Sequence, residues 1–265
     1  NAEAWTRLAR AGYDIYRDHL NTPAFFDMLP DVRGLSGLDI GCGEGHNTRL
    51  LARRGARVTA IDISRAFLAH ARQSELQRPL GINYHLASAV ELPFAAHAFD
   101  FATAFMSFMD IPEVDRVFAE AQRVLKPGSF VQFSITHPCF DTPQRRHVRD
   151  EQGEAYAVEV GGYFRDSDGQ LDEWIFGAAP PEETEGLPKF KIPRFTRTIS
   201  QWLNLLVDTG FLLERAGEPR PSDETVQAYP GLQDAQVAAC FLHIRVRKPL
   251  TGNGGFIAHN SASSF

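Results

Sequence analysis

Cysteine is scarce in this chain: Cys42, Cys139 and Cys240 are widely spaced and odd in number. With no C-x-x-C pair and no Cys/His finger spacing, neither a disulfide framework nor a structural zinc site is indicated, and no metal is expected. Reduced thiols in a cytoplasmic protein fit best. Long apolar runs are missing too, and none approaches the ~18–20 residues of a bilayer span. The opening stretch NAEAWTRLARAGYDIYRDHL carries charges throughout, the pattern of neither a signal peptide nor a membrane anchor. Positive charge is outnumbered, with 27 Lys and Arg against 33 Asp and Glu and a net charge of −6. Such a chain has no overall field to attract phosphate backbones, so nucleic acid is not an expected partner. The local exception is Arg145, Arg146, His147 and Arg149 in a loop-like stretch, which is either solvated surface or a grip for an anionic substrate.

What is present is core material: 43% of the 265 residues are hydrophobic, 20 of them Phe, enough for a sizeable interior. Short apolar runs at 38–40, 58–62, 82–87, 99–105 and 130–136 alternate with amphipathic stretches at 47–54, 64–77 and 114–125. That rhythm predicts an α/β domain, a mainly parallel sheet with helices on both faces. Ser64 is the expected N-cap of the second helix, and Lys126-Pro127-Gly128 the stop after the third. After His137 the rhythm breaks. The β-like runs 156–164 and 170–176 flank Asp168-Gly169, which predicts an inserted β-hairpin lid. The rhythm resumes with a helix at 199–209, Gly210 as its C-cap, and strands at 211–215 and 238–246. We divide the single domain into an N-terminal helical cap (1–36), a cofactor-binding core (37–138), the lid (139–193), a final helix and strands (194–248), and a tail (249–265) that reads as a flexible extension or packing arm.

The stretch GLDIGCGEGHNTRLLARRGARVTAIDIS raises the functional question. Gly41, Gly43 and Gly45 follow the first strand, where open α/β sheets bind ligands at strand carboxyl ends. The order is G-x-G-x-G. The dinucleotide fingerprint G-x-G-x-x-G would need its third glycine where His46 stands, which weakens a nicotinamide-dependent oxidoreductase. Asp62 ends the second strand, 17 residues after Gly45 (62 − 45). A carboxylate there can accept hydrogen bonds from vicinal ribose hydroxyls, or it can merely cap the helix near Ser64.

On these residues the chain resembles the class I S-adenosylmethionine-dependent methyltransferases, of the small-molecule, methyltransferase type 11-like kind. LDIGCGEG and LLARRGARVTAIDIS look like the family's first two motifs. ASAVELPFAAHAFDFATAF and AQRVLKPGSFVQFSI resemble the segments of its third to fifth strands. The resemblance implies a Rossmann-like, doubly wound, seven-stranded sheet with an antiparallel last strand. It implies S-adenosylmethionine as cofactor and S-adenosylhomocysteine as product. Asp39, Gly41, Cys42, Gly43 and Gly45 would surround the methionine moiety, Asp62 would hold the ribose, and Ile63 would pack on the adenine. Ser88 and Ala89 would lie at the adenine edge, and Ala104 and Phe105 at the sulfonium. Ser88 stands where the family often has Asp, a weaker acceptor for the adenine amino group.

The implied reaction passes a methyl group to an oxygen, nitrogen or carbon nucleophile, and a base helps if that nucleophile carries a proton. His137, just past the fifth strand, is the candidate base, with simple backbone bonding as the bland alternative. Tyr16 on the N-terminal helix either reaches the cofactor carboxylate or belongs to a packed aromatic stripe. Tyr163, Phe164, Trp174 and Phe176 either wall an apolar substrate pocket or form a homodimer surface. A cofactor-binding scaffold without chemistry is the remaining alternative.

Overall fold

The computed structural model describes residues 1–250; the expected tail beyond them lies outside the described residues. Among the described residues eleven strands form, seven of them in one sheet: β1 (Ser36–Ile40), β2 (Arg57–Asp62), β3 (Asn83–Leu86), β4 (Phe99–Phe105), β5 (Leu125–Thr136), β10 (Leu212–Gly217) and β11 (Phe241–Arg247). Their order is β10-β11-β5-β4-β1-β2-β3. β1 to β5 run parallel, and β11 is antiparallel to both neighbours. The expected sheet with its antiparallel last strand is therefore present. Strand order reverses at β1, which lies between β4 and β2, so the carboxyl ends of β1 and β4 border the crevice where such sheets bind ligands.

Helices cover both faces, which is why β4 and β5 are near-continuous apolar runs rather than alternating ones. One face packs Phe108, Phe118, Phe133 and Trp202 under α5 (Val114–Val124) and α7 (Ile199–Asp208). The other packs Phe25, Phe26, Phe101 and Phe130 under α2 (Thr22–Met28), α3 (His46–Arg53) and α4 (Arg65–Gln77). Local signals place these helices. Ser64 accepts the Phe67 N–H, as expected of an N-cap, and Thr198 with Gln201 forms a capping box at α7. Gly210, at φ +78°, follows α7. The Lys-Pro-Gly stop is no gap between elements, since β5 begins at Leu125 and runs through it. Short helices α6 (Pro181–Thr184), α8 (Asp223–Ala228) and α9 (Asp234–Val237) lie in connections. Ahead of the sheet come α1 (Ala2–Arg10) and a π-helical turn, Arg17–Asn21.

The insertion corrects one expectation. The two β-like runs do not pair with each other. β7 (Ala155–Gly161) pairs with β6 (Gln144–Arg149), and β8 (Gln170–Trp174) pairs with β9 (Phe190–Arg194), giving two antiparallel ribbons. The basic cluster thus lies on a strand, not in a loop. Closure of the first ribbon is local, because Asp150 Oδ1 accepts the N–H groups of Gln152 and Glu154 and holds the turn. Asp168-Gly169 still turns, with φ +42° and +75°, but Gly169 donates to the Arg194 carbonyl, so the turn serves β9.

Candidate active site

The carboxyl ends of β1, β2 and β4 open into a cavity of about 1810 Å³. A drug-sized ligand site is usually ~300–1,000 Å³, so this one has room for two ligands at once. The glycine loop forms its floor. Gly41, at φ +75°, lies so close to Ser107 that a Cβ would sit 2.4 Å from the serine Cβ. Ser107 in turn donates its hydroxyl to the Ile40 carbonyl at 2.8 Å, locking the ends of β1 and β4 together. Gly43 would meet nothing within 4 Å, so its face is open to the cavity. Gly45 does not line the cavity: at φ +87° it caps α3 and packs against Tyr84 and Ala71. Its role in the loop is conformational, which corrects its expected place around a ligand.

Asp39 and Asp62 stitch this floor together. Asp39 is buried, and its two oxygens accept the hydroxyls of Thr48 at 2.6 Å and Thr103 at 2.8 Å, tying β1 to α3 and β4. Burial pushes its carboxyl up to about 6, against those two bonds. Asp62 accepts the Gly43 N–H at 2.8 Å and the Ser64 N–H at 2.7 Å. Burial raises its carboxyl also, with those amides opposing. Capping and loop-holding are therefore both met by one carboxylate, whose remaining acceptor capacity faces the cavity. Ile63 beside it is 79% exposed, an apolar side chain held on the cavity wall.

Ser88, Ala89, Cys42 and Phe105 all line the cavity, and the Cys42 thiol is pushed far up by burial. Ala104 does not line it. It is fully buried in the sheet core. Successive strand residues face opposite sides, so Phe105 and Ala104 cannot share a wall. Tyr16 is on the wall with its ring edge-on to Phe241, its phenol pushed up to about 12 by burial. The N-terminal segment clasps the floor: Arg10 bonds Glu44 at 2.9 Å and the Ser74 hydroxyl at 2.8 Å. Trp5 packs on Trp174, Phe176 and Phe190 at 4.7–5.1 Å between centroids, closing α1 against the second ribbon.

His137 departs from expectation. It is buried and lines no part of the cavity. Its Nδ1 accepts the Cys139 N–H at 3.2 Å, which leaves the proton on Nε2, donated to Glu218 Oε1 at 2.7 Å. With both ring nitrogens engaged away from the cavity, it has no free lone pair to offer a substrate. The backbone-bonding alternative is the one realised. The aromatic set also splits. Trp174 and Phe176 line the cavity; Tyr163 lines a smaller adjoining pocket and accepts the Ile199 N–H; Phe164 is 88% exposed. Residues that sequence reasoning passed over complete the wall: Met106, at φ +54°, Asp110, Asp141, Tyr229 and Asp234. The positive φ of Met106 is strain of the kind that gathers at sites, and no sequence signal marks it. Arg145, His147 and Arg149 of β6 line the cavity as well, with Arg149 and Asp234 2.6 Å apart.

Known proteins match this arrangement. Residues 38–133 fit the model of a family described as a methyltransferase domain. A ubiquinone biosynthesis O-methyltransferase of Hahella chejuensis is 35% identical over 120 residues, 44% of this chain and 50% of that protein. A sterol methyltransferase-like protein of Botryococcus braunii is 31% identical over 43% of this chain and 31% of its own length. The chain thus spans half or less of these curated relatives. A solved S-adenosylmethionine-dependent methyltransferase of Mesorhizobium loti superposes with a TM-score of 0.68 at 28% identity, over 85% of this chain and 96% of that one. The [4+2]-cyclase SpnF, at 19% identity and a TM-score of 0.58, shares the fold. Residues 38–133 thus match a methyltransferase domain, and the fold around them is that of solved S-adenosylmethionine-dependent methyltransferases.

Proposed function

We propose that the protein is an enzyme that transfers the methyl group of S-adenosylmethionine to an oxygen, nitrogen or carbon nucleophile of a small molecule. The observation that carries this reading is Asp62: a partly engaged carboxylate at the end of β2, beside an open glycine loop and the exposed Ile63. Those groups fit the cofactor. Asp62 would accept the ribose hydroxyls, Ile63 would lie against the adenine, Ser88 and Ala89 would meet the adenine edge, and the open face of Gly43 would admit the methionine moiety. Tyr16 would stand near the cofactor's carboxylate. When bound, the sulfonium supplies an electrophilic methyl group, so the protein's task is to orient an acceptor and exclude water.

The rest of the cavity suits the acceptor. Trp174 and Phe176 beside the second ribbon offer an apolar wall, and the first ribbon adds Arg145, His147 and Arg149, so the two ribbons together would act as a lid over a small molecule. The Hahella relative is named for O-methylation in ubiquinone biosynthesis; an oxygen acceptor is the first class to try. Calorimetric titration tests the reading: S-adenosylhomocysteine should bind with micromolar affinity and NAD should not. Binding of NAD alone, or of neither, would overturn it.

A further inference from the structure

The cavity wall is rich in carboxylates, and among the described residues nearly all of them are already engaged. Asp14 faces Arg17, Glu44 bonds Arg10, and Asp39 holds two threonine hydroxyls. Asp62 holds two backbone amides, Asp141 lies 3.2 Å from Arg194, and Asp234 lies 2.6 Å from Arg149. Glu113 is exposed. Asp110 is different: it is half-buried, it lines the cavity, and its carboxylate has no hydrogen bond or ion pair among the described residues.

Its position is fixed from below. Asp110 closes the 3-10 turn Phe108–Asp110 that follows β4, and its own N–H donates to the Ser107 carbonyl. Ser107 is the residue that locks β4 to the glycine-loop strand, so Asp110 is carried by the rigid end of the sheet rather than by a ribbon. It also lines the adjoining pocket of about 150 Å³, which lies on the Tyr163 and Arg194 side. A carboxylate with no protein partner on a cavity wall is free to meet a ligand, and such groups gather at functional sites.

We propose that Asp110 is the general base of methyl transfer, taking the proton of an acceptor hydroxyl or amine; the proposal rests on the methyltransferase reading above. The acceptor's lone pair forms the bond to the methyl carbon as the carbon–sulfur bond breaks and its electron pair passes to sulfur. The acceptor's proton goes to an Asp110 oxygen, and from there to solvent through the adjoining pocket. The acceptor atom is then oxygen or nitrogen bearing hydrogen, not a carbon activated in some other way. Burial drives the Asp110 carboxyl up to about 7, with Arg194 opposing, which suits a base working near neutral pH. The charged groups around the turn are engaged elsewhere, beginning with Arg197, which donates to the Ile111 and Pro112 carbonyls. From β9 comes Arg194, whose guanidinium is committed to Asp172 and Asp141. Lys191 of the same strand pairs with Glu173 at 3.0 Å. The ionisable residue of β5, Lys126, bonds Asp100 at the strand's other end.

The test uses the full chain saturated with S-adenosylhomocysteine. Carbon-13 NMR of labelled aspartate carboxyls follows each titration, with Asp110→Asn identifying the resonance. A midpoint near 7 is expected; a midpoint in the ordinary carboxylate range, about 4, would overturn the proposal. Tritiated S-adenosylmethionine with a panel of small phenols and primary amines supplies the second readout. Wild-type turnover should rise with pH to a plateau above about 7, and Asp110→Asn should lose roughly 100-fold or more. That variant should bind S-adenosylhomocysteine as wild type does, and Asp110→Glu should recover part of the rate. Full turnover in Asp110→Asn, with the loss falling instead in His147→Ala, would overturn the assignment. Failure of wild type to bind S-adenosylhomocysteine would strike the methyltransferase reading itself, a separate outcome.

Discussion

The two halves of the cavity are built on opposite plans. The sheet half, β1, β2 and β4 with the glycine loop, is rigid and self-satisfied: Asp39, Asp62 and Ser107 spend their hydrogen bonds on the protein's own backbone and hydroxyls. The ribbon half, β6 to β9, lies outside the sheet and is held by aromatic packing on Trp5 and by ion pairs such as Arg194 with Asp172. A floor made of backbone geometry recognises one invariant ligand. A wall made of separate ribbons can be altered without disturbing the sheet, which is how one fold hosts many acceptors. The division also accords with the methyltransferase-domain match, which spans residues 38–133 and stops before the ribbons.

Substitutions can sharpen or break that contrast. Gly41→Val should do the most damage, because a side chain at φ +75° would also meet Ser107 at 2.4 Å. Strain and overpacking together should cost roughly 2–6 kcal/mol, read as a lower urea midpoint with S-adenosylhomocysteine binding lost in parallel. Asp110→Asn should act in the other direction on stability. A carboxyl raised in the folded state is protonated there while the unfolded chain has already ionised, so wild-type stability falls as pH rises from about 4 to about 7. The variant should match wild type near pH 3.5 and gain on it through that window. By pH 8 the difference should reach on the order of 2–4 kcal/mol, visible in thermal midpoints. No pH-dependent difference would show that Asp110 is not the desolvated, unpartnered group described.

Asp62→Ala should weaken S-adenosylhomocysteine binding by about 1–3 kcal/mol, the scale for losing charge-assisted hydrogen bonds. Unchanged affinity in a folded variant would remove Asp62 from the ribose role. Trp174→Ala should have the smallest effect on that same titration, within about twofold, since it touches the ribbon half and Trp5 but not the glycine loop. A large loss there would mean that the halves are not separate.

The sequence was most legible where structure is local and buried. The runs that became β1, β2, β4 and β5 are apolar because both sheet faces are covered, and Ser64 caps its helix through a bond to a residue three positions away. The ribbons are not legible in the sequence, because pairing there is decided by partners outside the two β-like runs. β8 finds β9 across a connection holding α6, while the Asp-Gly signal was spent on a turn that serves β9. Ala104 is legible as core, since the two-residue strand period sets it opposite Phe105. His137 was placed correctly after β5, but its direction depends on Glu218, a partner no local pattern announces. Asp110 carried no motif at all. Its distinction is the absence of partners, which only packing reveals.

The most direct test of the divided cavity is hydrogen exchange followed by mass spectrometry, with and without saturating S-adenosylhomocysteine. Protection should rise at residues 39–46, 62–64 and 88–90 and stay unchanged across β6 and β7. Protection centred on the ribbons, with none at the glycine loop, would contradict the account.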